Sequence, residues 1–316
     1  MPTLHRLAAA CGILAAFAST ASAKVERVAE KTFQVQPGVH LTVSTSGGEI
    51  RVTPSADTVV RVIAREHIHA SSDSEADELM EKLVLVIEQH GNEVVATATY
   101  NKGSSGFHFG SWPPVEVDFE VTVPASTSTN LKTSGGDIVV GDLEGEVYAR
   151  TSGGEIKLGK MGADVDASTS GGDVDMTEAK GMAKLETSGG SVSVGRVVGP
   201  CDLHTSGGDI SVDSVENTLV ADTSGGSVRA GFEGSLKGDC SLSTSGGEVK
   251  ATVGPNVGFH LDARTSGGDV NAAGVTITID RGGVGKSTLS GDVNGGGPLL
   301  KLRSSGGDIE VISRRS

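Results

Sequence analysis

Acidic side chains recur along this chain at intervals of 18 residues, and carboxylates at a fixed spacing can hold metal ions. Each lies at the fifth position of the motif Thr-Ser-Gly-Gly-(Asp/Glu/Ser)-(Ile/Val). The most regular members are Asp137, Glu155, Asp173 and Asp209. Carboxylate oxygens are the ligands that calcium prefers, and stacked motifs would bring them close together. A calcium-binding ladder is therefore one interpretation of this pattern.

The other interpretation is a solvated acidic corner. Ser191 and Ser227 interrupt the ladder, and Lys157 and Arg229 lie nearby and offset part of its charge. Calcium-binding β-rolls also have 18-residue turns, but they repeat a Gly-Gly motif every nine residues, and this chain does not. Both interpretations stay open, and no cofactor other than calcium is expected.

A glycine-rich segment at 103–114 carries a second kind of candidate site. It contains Phe107, Phe109 and Trp112, three of the ten aromatic residues of the chain. Exposed aromatic rings on a loop are typical of contacts with glycans or proteins. The same rings would equally serve as a plug against the first repeat. The sequence leaves both roles open for these three ligand-binding candidates.

Catalytic patterns are weak in this sequence. No arrangement of Ser, His and Asp, and no pair of carboxylates, has the spacing of an active site, so we do not expect an enzyme. Residues 281–288, Arg-Gly-Gly-Val-Gly-Lys-Ser-Thr, imitate a phosphate-binding loop. Such a loop must lead into a helix N-terminus, whereas here the chain returns to the repeat. We interpret the match as coincidence.

The repeat itself predicts the elements that position these residues. Five successive intervals between copies are 18 residues long. Copies begin at Thr133, Thr151, Thr169, Thr187, Thr205 and Thr223, with looser copies at Thr244, Thr265, Thr288 and Ser304 and an isolated one at Thr45. A fixed short period indicates one unit stacked on itself, which is a solenoid.

Aligning the copies with Thr at position 1 reveals columns of apolar residues. Position 6 holds Ile138, Ile156, Val174, Val192, Ile210, Val228, Val249, Val270, Val293 and Ile309. Position 8 holds Val140, Leu158, Met176, Val194 and Val212, then Ala230, Ala251 and Ala272. Four residues before the next copy lie Val147, Val165, Ala183, Cys201, Leu219, Cys240, Leu261, Val284 and Leu300. Two residues before the next copy lie Ala149, Ala167, Leu185, Leu203, Ala221, Leu242, Ala263 and Leu302. A spacing of two residues within each of these two pairs of columns predicts strands with one buried face.

Each unit is thus predicted to have strands near positions 5–8 and 14–18. We expect Gly-Gly to supply the unusual backbone angles of a tight corner. A second corner is expected at positions 9–13, around Gly141, Gly159 and Gly195. The predicted fold is mainly β: a parallel β-solenoid of about ten 18-residue rungs with a small N-terminal α/β cap.

The cysteines of the repeat region fit this register. Cys201 and Cys240 fall in one inward column, two rungs apart, which corresponds to about 9.6 Å. A disulfide requires Cα atoms closer than about 7 Å. The register therefore predicts two free, buried thiols.

The predicted organisation has three parts. Residues 1–23 have the charged start, apolar stretch and Ala21-Ser22-Ala23 cleavage site of a signal peptide. Residues 24–132 form the cap with the first motif copy: a helix at 73–83, a hairpin at 84–87 and 94–100, and a strand from Val115 to Val123. Residues 133–316 form the solenoid. The chain is expected to stop in the last rung, with Arg314 and Arg315 as charged gatekeepers.

Charge and hydropathy exclude some partners. The net charge is −14, which repels phosphate backbones, so nucleic-acid binding is not expected. No later segment is long and apolar enough to span a bilayer. We expect a soluble, exported protein located in the periplasm, at the cell surface or in the medium.

The signal peptide, the opening Phe33…Pro37-Gly38…Leu41-x-Val43 and the repeated Thr-Ser-Gly-Gly-Asp-Ile-x-Val resemble a bacterial family of exported β-strand-repeat proteins. The members of that family are known as putative adhesins and contain a domain of unknown function. The resemblance implies a non-enzymatic protein that contacts a cell-envelope or extracellular protein or glycan. The alternative is a periplasmic binding or sensory module that engages its partner through the aromatic loop of the cap.

Overall fold

The protein is mainly β. A computed structural model describes residues 24–70, 72–101 and 114–314. In these ranges the chain forms 27 strands and one helix. The strands make a 13-stranded and a 14-stranded sheet. No helix within these ranges has the length and apolar character needed to cross a membrane.

The elements before the regular repeats are β1 (Lys24–Gln34), β2 (His40–Ser44), β3 (Ile50–Ser55), β4 (Val59–His69), α1 (Asp73–Met80), β5 (Leu83–His90), β6 (Glu93–Tyr100), β7 (Val115–Pro124) and β8 (Ser128–Lys132). The regular units contribute β9 (Ile138–Val140), β10 (Val147–Arg150), β11 (Ile156–Met161), β12 (Val165–Ser168), β13 (Val174–Ala179), β14 (Ala183–Glu186), β15 (Val192–Val197), β16 (Cys201–Thr205), β17 (Ile210–Val215) and β18 (Leu219–Thr223). The C-terminal part contains β19 (Val228–Phe232), β20 (Cys240–Thr244), β21 (Val249–Val253), β22 (Phe259–Thr265), β23 (Val270–Ala273), β24 (Ile277–Gly285), β25 (Thr288–Val293), β26 (Leu299–Ser304) and β27 (Ile309–Ser313).

The regular units from Thr133 to Thr223 stack in parallel with a constant register of 18 residues, and the next unit pairs at an offset of 21. Val174 pairs with Val192 and Val192 with Ile210 in the 13-stranded sheet, and Ala183 pairs with Cys201 in the 14-stranded sheet. Each unit gives one strand to each sheet, and the apolar columns meet between the sheets. These two many-stranded, largely parallel sheets are consistent with the predicted β-solenoid.

The predicted columns form the core, and the structure adds one that the alignment missed. Fully or nearly fully buried residues at position 11 are Leu143, Met161, Ala179, Val197 and Val215. In β11, β13, β15 and β17 they are buried because the strand is longer than predicted, and Leu143, which follows the shorter β9, forms an isolated bridge with Met161. In β11, for example, the strand passes through Gly159 and reaches Met161, and the turn follows at Gly162. The second corner thus lies within the predicted positions 9–13 but later than its glycines suggest: Gly159 and Gly195 are inside strands, and only Gly141 directly follows its strand.

The reason for Gly-Gly at the corner also differs from the prediction. None of the described motif glycines has a positive φ angle. The second glycine is instead required by close approach: a Cβ at Gly190 would lie under 3.0 Å from the carbonyl oxygen of Gly172 in the preceding corner. At Gly189 the nearest such oxygen is 3.4 Å away. Close stacking of the backbone, not an unusual backbone angle, selects glycine here.

The N-terminal end has the predicted helix and hairpin. Helix α1 begins after Ser72, whose Oγ accepts a hydrogen bond from the Glu75 amide at 3.2 Å, and Ala76 packs into the core. The hairpin of β5 and β6 and the strand β7 also match the prediction. The unit formed by β2 and β3 lies inside the stack, because β6 and β7 pair with it on one side and β8 and β9 on the other.

The C-terminal end departs from the simple stack. The copy at Thr288 does not form a parallel unit: β24 and β25 make an antiparallel hairpin that pairs with β22. Val284, which was expected in a core column, is therefore 61% exposed. No helix follows residues 281–288, which lie within this hairpin. Val270 is half-buried and Ala272 exposed, because β23 is the last strand of its sheet.

The last two strands of the chain are not the outermost strands of the two sheets. Strand β26 pairs with β20 on one side and β22 on the other, and β27 lies between β21 and β23. The expectation that the chain stops in the outermost rung was wrong. We call β26, β27 and the corner between them (residues 299–313) the inserted unit.

Both cysteines of the repeat region are buried and free. Strand β18 separates β16, which carries Cys201, from β20, which carries Cys240. Burial raises the pKa of Cys201 to about 12 and that of Cys240 to about 11. These thiols stay protonated at neutral pH and act as core side chains, as the register predicted.

Candidate functional site

A shallow groove of about 620 Å³ crosses the outer face of the 14-stranded sheet. It extends over seven neighbouring strands, β6, β2, β8, β10, β12, β14 and β16. Its polar and exposed lining comprises His40, Thr42, Glu93, Ser128, Asn130, Glu146, Tyr148, Asp164, Asp166, Met182, Lys184 and Asp202. We call it the Tyr148 groove.

The repeat register builds the floor of this groove. Asn130 pairs with Tyr148, Tyr148 with Asp166, and Asp166 with Lys184 on successive parallel strands. These residues share position 16 of their units, where alternation points the side chain away from the core. Each neighbour is inward-facing and buried, as Val147 and Ala149 are beside Tyr148. The core therefore fixes where the groove side chains emerge.

Tyr148 is held rigidly at the centre of the groove. The Arg150 guanidinium lies 4.5 Å from the ring centroid and the Lys132 amine 5.3 Å from it. Arg150 Nε donates to Tyr148 Oη at 3.0 Å, and Arg150 Nη2 donates to Asp166 Oδ1 at 2.7 Å. Burial opposes the charge of Arg150, but the hydrogen bonds to Tyr148 and Asp166 outweigh it and raise its pKa.

The groove is rich in hydrogen-bond acceptors and carries negative charge. Five carboxylates line it: Glu93, Glu146, Asp164, Asp166 and Asp202. Lys184, its one lysine, is paired with Glu186 at 2.8 Å. The Oδ1 atom of Asn130 is buried without a hydrogen-bond partner. Such a surface suits ligands that offer hydroxyl or amine donors and disfavours anionic ones.

Comparison with known proteins assigns the chain to a family. The Toastrack DUF4097 family matches residues 39–312. The chain belongs to the Toastrack family. No curated protein matches it.

Solved structures similar to this Toastrack chain cover most of its length at low identity. A putative adhesin from Parabacteroides merdae is 11% identical, with 90% of this chain and 95% of that chain covered and a TM-score of 0.45. A putative adhesin from Bacteroides fragilis is 13% identical, with 91% and 97% covered and a TM-score of 0.40. A putative lipid binding protein from Parabacteroides distasonis is 12% identical, with 91% and 97% covered and a TM-score of 0.39. Similarity at this level does not indicate what the Toastrack chain binds.

The acidic ladder predicted as a calcium site has a structural role in this Toastrack protein. Asp137 Oδ1 accepts from the Glu155 amide at 2.8 Å, and Asp173 Oδ1 accepts from the Ser191 amide at 2.7 Å. Asp209 Oδ1 likewise accepts from the Ser227 amide at 2.6 Å. These three aspartates therefore bridge one corner to the next.

Glu155 differs from these aspartates because its carboxylate pairs with Lys157. Within residues 24–70, 72–101 and 114–314, no three His, Cys, Asp or Glu side chains are grouped so that they could hold a metal ion. Calcium binding by Asp137, Glu155, Asp173 and Asp209 stays a prediction.

The aromatic candidates Phe107, Phe109 and Trp112 lie outside the described residues, so their role also stays a prediction. The chain on either side of them is anchored. The Asn101 amide donates to the Lys82 carbonyl at 2.9 Å, and the His69 amide donates to the Pro114 carbonyl at 3.0 Å. The segment connects β6 to β7.

Sequence reasoning missed the Tyr148 groove. The signal was present in the alignment, because Tyr148 is an aromatic residue in the outward-facing column at position 16. In the following units this position holds Asp166, Lys184 and Asp202. An aromatic side chain at an outward-facing position that is polar in the following units, close to Arg150, indicates a specific surface feature.

Proposed function

We propose that this Toastrack protein is an exported, non-enzymatic binding scaffold that contacts a protein or glycan of the cell envelope or the extracellular space, as an adhesin does. The observation that carries this proposal is the Tyr148 groove. Its central tyrosine, Arg150 and Asp166 are connected by hydrogen bonds before any ligand arrives. Preorganised side chains of this kind lower the entropic cost of binding.

The groove favours an elongated partner. Seven strands correspond to a length of about 29 Å at the usual strand spacing. Main-chain groups within a sheet are already paired with neighbouring strands, so a ligand on this face is recognised by side chains alone. Several weak polar contacts along one axis, repeated over many copies on a surface, add up as avidity.

The test is binding of the labelled protein to envelope preparations and to whole cells. We expect Tyr148→Ala to lower the retained fraction roughly tenfold, as loss of a central aromatic contact does. Val220→Ala is the matched control, since Val220 occupies the same repeat position and is 46% exposed but does not line the groove. Unchanged binding by Tyr148→Ala, with an unchanged melting temperature, would refute the role of the groove.

The alternative site is tested in the same assay. Replacing Phe107, Phe109 and Trp112 together by Ser removes the aromatic rings of the cap segment. Loss of binding in this variant, with Tyr148→Ala still binding, would support a module that engages its partner through the cap.

The proposed location is tested separately. A C-terminally tagged protein is expressed in its host, and intact cells are treated with protease beside a periplasmic marker. Digestion of the tagged protein alone supports surface exposure and adhesion. Protection until the envelope is broken supports a periplasmic partner.

A further inference from the structure

The inserted unit fills a slot between two units that precede it in sequence. Strands β20 and β21 lie on one side of it, and β22 and β23 on the other. Strands β20 to β23 come first in the sequence and form the two sides of the slot. The hairpin of β24 and β25 follows, and only then do β26 and β27 fill the slot. The slot and the segment that fills it are therefore separate along the chain.

The bonds that hold the inserted unit are those of the ordinary repeat. Ser304 Oγ donates to the Gly247 carbonyl at 2.9 Å, and Thr265 Oγ1 donates to the Gly307 carbonyl at 2.7 Å. The Asp269 amide donates to Asp308 Oδ1 at 2.8 Å. The slot recognises the register of the motif, and the same segment of a second copy would satisfy it equally well.

Four consecutive residues with positive φ angles lead into the inserted unit. Residues 294–297 all have positive φ angles: 50° at Asn294, 93° at Gly295, 82° at Gly296 and 153° at Gly297. Pro298 follows directly. A non-glycine residue in the left-handed region is held there against a steric cost. An extended connection would remove this cost at Asn294 and leave the three glycines free to adopt either form, and hinges of this kind favour exchange of the segment that they carry.

We propose that residues 298–314 exchange between two copies of this chain to form a domain-swapped dimer, in which each inserted unit fills the slot of its partner. The partner is a second copy because only the same motif in the same register restores every bond in the slot. The Tyr148 groove lies on β6 to β16, away from the slot, so both grooves of the dimer stay open. Two grooves would then bind one surface together.

Crosslinking distinguishes the exchanged dimer from the monomer. Ser241 and Lys301 are paired residues on β20 and β26, so Ser241→Cys with Lys301→Cys bridges the slot and the inserted unit. Cys11→Ala, Cys201→Ala and Cys240→Ala remove the three native thiols. The protein is unfolded, refolded at micromolar and at millimolar chain concentrations, separated by size and oxidised. We expect a dimer fraction at the higher concentration whose crosslink is intermolecular on a non-reducing gel.

Residues 294–297, which we call the hinge, allow a matched comparison of two glycine variants. Both variants keep the native Ser241 and Lys301. Gly295→Ala adds a Cβ at φ 93° and Gly38→Ala adds one at φ 75°, and neither site has an atom within 4 Å of that Cβ. Only Gly295 lies in the hinge, so only its variant should favour the open form. We expect a rise in the dimer association constant of roughly tenfold for each hinge relieved.

Three results would overturn the proposal. One is the absence of a dimer after refolding at millimolar concentration. Another is a dimer in which the crosslink between the cysteines introduced at positions 241 and 301 stays within one chain. The third is an equal rise in the dimer fraction for the hinge variant and for Gly38→Ala.

Discussion

At the scale of single residues, each corner of the stack uses the same small set of hydrogen bonds. Thr187 is representative: its Oγ1 donates to the Gly172 carbonyl of the preceding unit at 2.8 Å and accepts from the Gly190 amide at 3.3 Å. Asp173 then accepts from the Ser191 amide at 2.7 Å. Threonine, the second glycine and the acidic residue are thus parts of one ladder that joins neighbouring units.

The second glycine of the motif should tolerate no side chain. A Cβ at Gly190 would meet the Gly172 carbonyl under 3.0 Å, whereas at Gly189 the nearest oxygen is 3.4 Å away. We expect Gly190→Ala to lower the free energy of unfolding by about 3 kcal/mol, as forced overpacking does, and Gly189→Ala to cost under about 1 kcal/mol. Urea denaturation of both variants measures the difference. Equal losses would show that close approach does not distinguish the two glycines.

We expect the acidic residue of the ladder to stabilise the stack through an oxygen that accepts a hydrogen bond, and not through its negative charge. Asp173→Asn keeps an acceptor for the Ser191 amide, and Asp173→Ala removes it. We expect the alanine variant to lose about 1 kcal/mol of stability and the asparagine variant to stay near wild type. Thermal melts with calcium and with a chelator complete the measurement. A calcium-dependent gain that Asp173→Asn abolishes would instead support the metal ladder.

The sequence predicted the burial of single residues wherever the repeat period determines it. It did not predict roles that depend on contacts between residues distant in sequence. The columns of Ile210 and Leu203 follow from alternation, and both residues are fully buried. The hydrogen bond from the Ser191 amide to Asp173 joins residues 18 apart, and only stacking brings them together. Tyr148 and its neighbour Arg150 were visible in the sequence, but the contact with Lys132 and the hydrogen bond from Arg150 to Asp166 depend on the parallel register.

At the scale of elements, the antiparallel hairpin of β24 and β25 is held to the stack by a cluster of titratable residues. His260 on β22 contacts Asp292 on β25 at 2.8 Å and Asp280 on β24 at 3.6 Å. Ser290 Oγ donates to Asp280 Oδ2 at 2.5 Å. The hydrogen bond to Asp292 raises the pKa of His260, with smaller contributions from Asp280 and Asp262.

The hairpin should therefore hold more tightly in mild acid. A raised folded-state pKa gives stabilisation that is complete below the unfolded value of about 6.5 and is lost as the pH rises through the folded value. We expect the hydrogen-exchange protection factors of residues 277–293 to fall as the pH rises above about 6.5. His260→Gln should flatten that dependence, and His204→Gln should keep it. If the protection of residues 277–293 varies with pH to the same extent in both variants, a group other than His260 causes the pH dependence.

The sequence predicted elements well inside the regular repeats and poorly at the ends. The 18-residue period between Thr133 and Thr223 specifies parallel pairing, and the structure has it. At Thr288 the motif is degenerate, and pairing with β22 in the antiparallel direction replaces the expected unit. Alternation alone does not encode strand direction, so Val284 was placed in the core although it is exposed.

At the scale of the whole molecule, each end of the stack is built out of sequence order. The unit of β2 and β3 lies between strands that follow it, and the inserted unit lies between strands that precede it. In a simple solenoid each unit contacts only its neighbours along the chain. Here contacts distant in sequence close both ends, so a terminal unit cannot fray without also releasing its spatial neighbours.

This arrangement predicts different responses to the same substitution at equivalent positions. Ile210 and Ile309 both occupy position 6 and are fully buried, so replacement by Asp buries an unpaired charge in either case and costs more than about 4 kcal/mol. We expect Ile309→Asp to open the slot and expose residues 240–314 to hydrogen exchange while β10 to β17 stay protected. Ile210→Asp should remove protection from the middle of the stack on both sides of β17. If the loss of protection in Ile309→Asp is confined to residues 299–313, the inserted unit does not hold β22 and β23 in place, and the ends fray one unit at a time as in an ordinary solenoid.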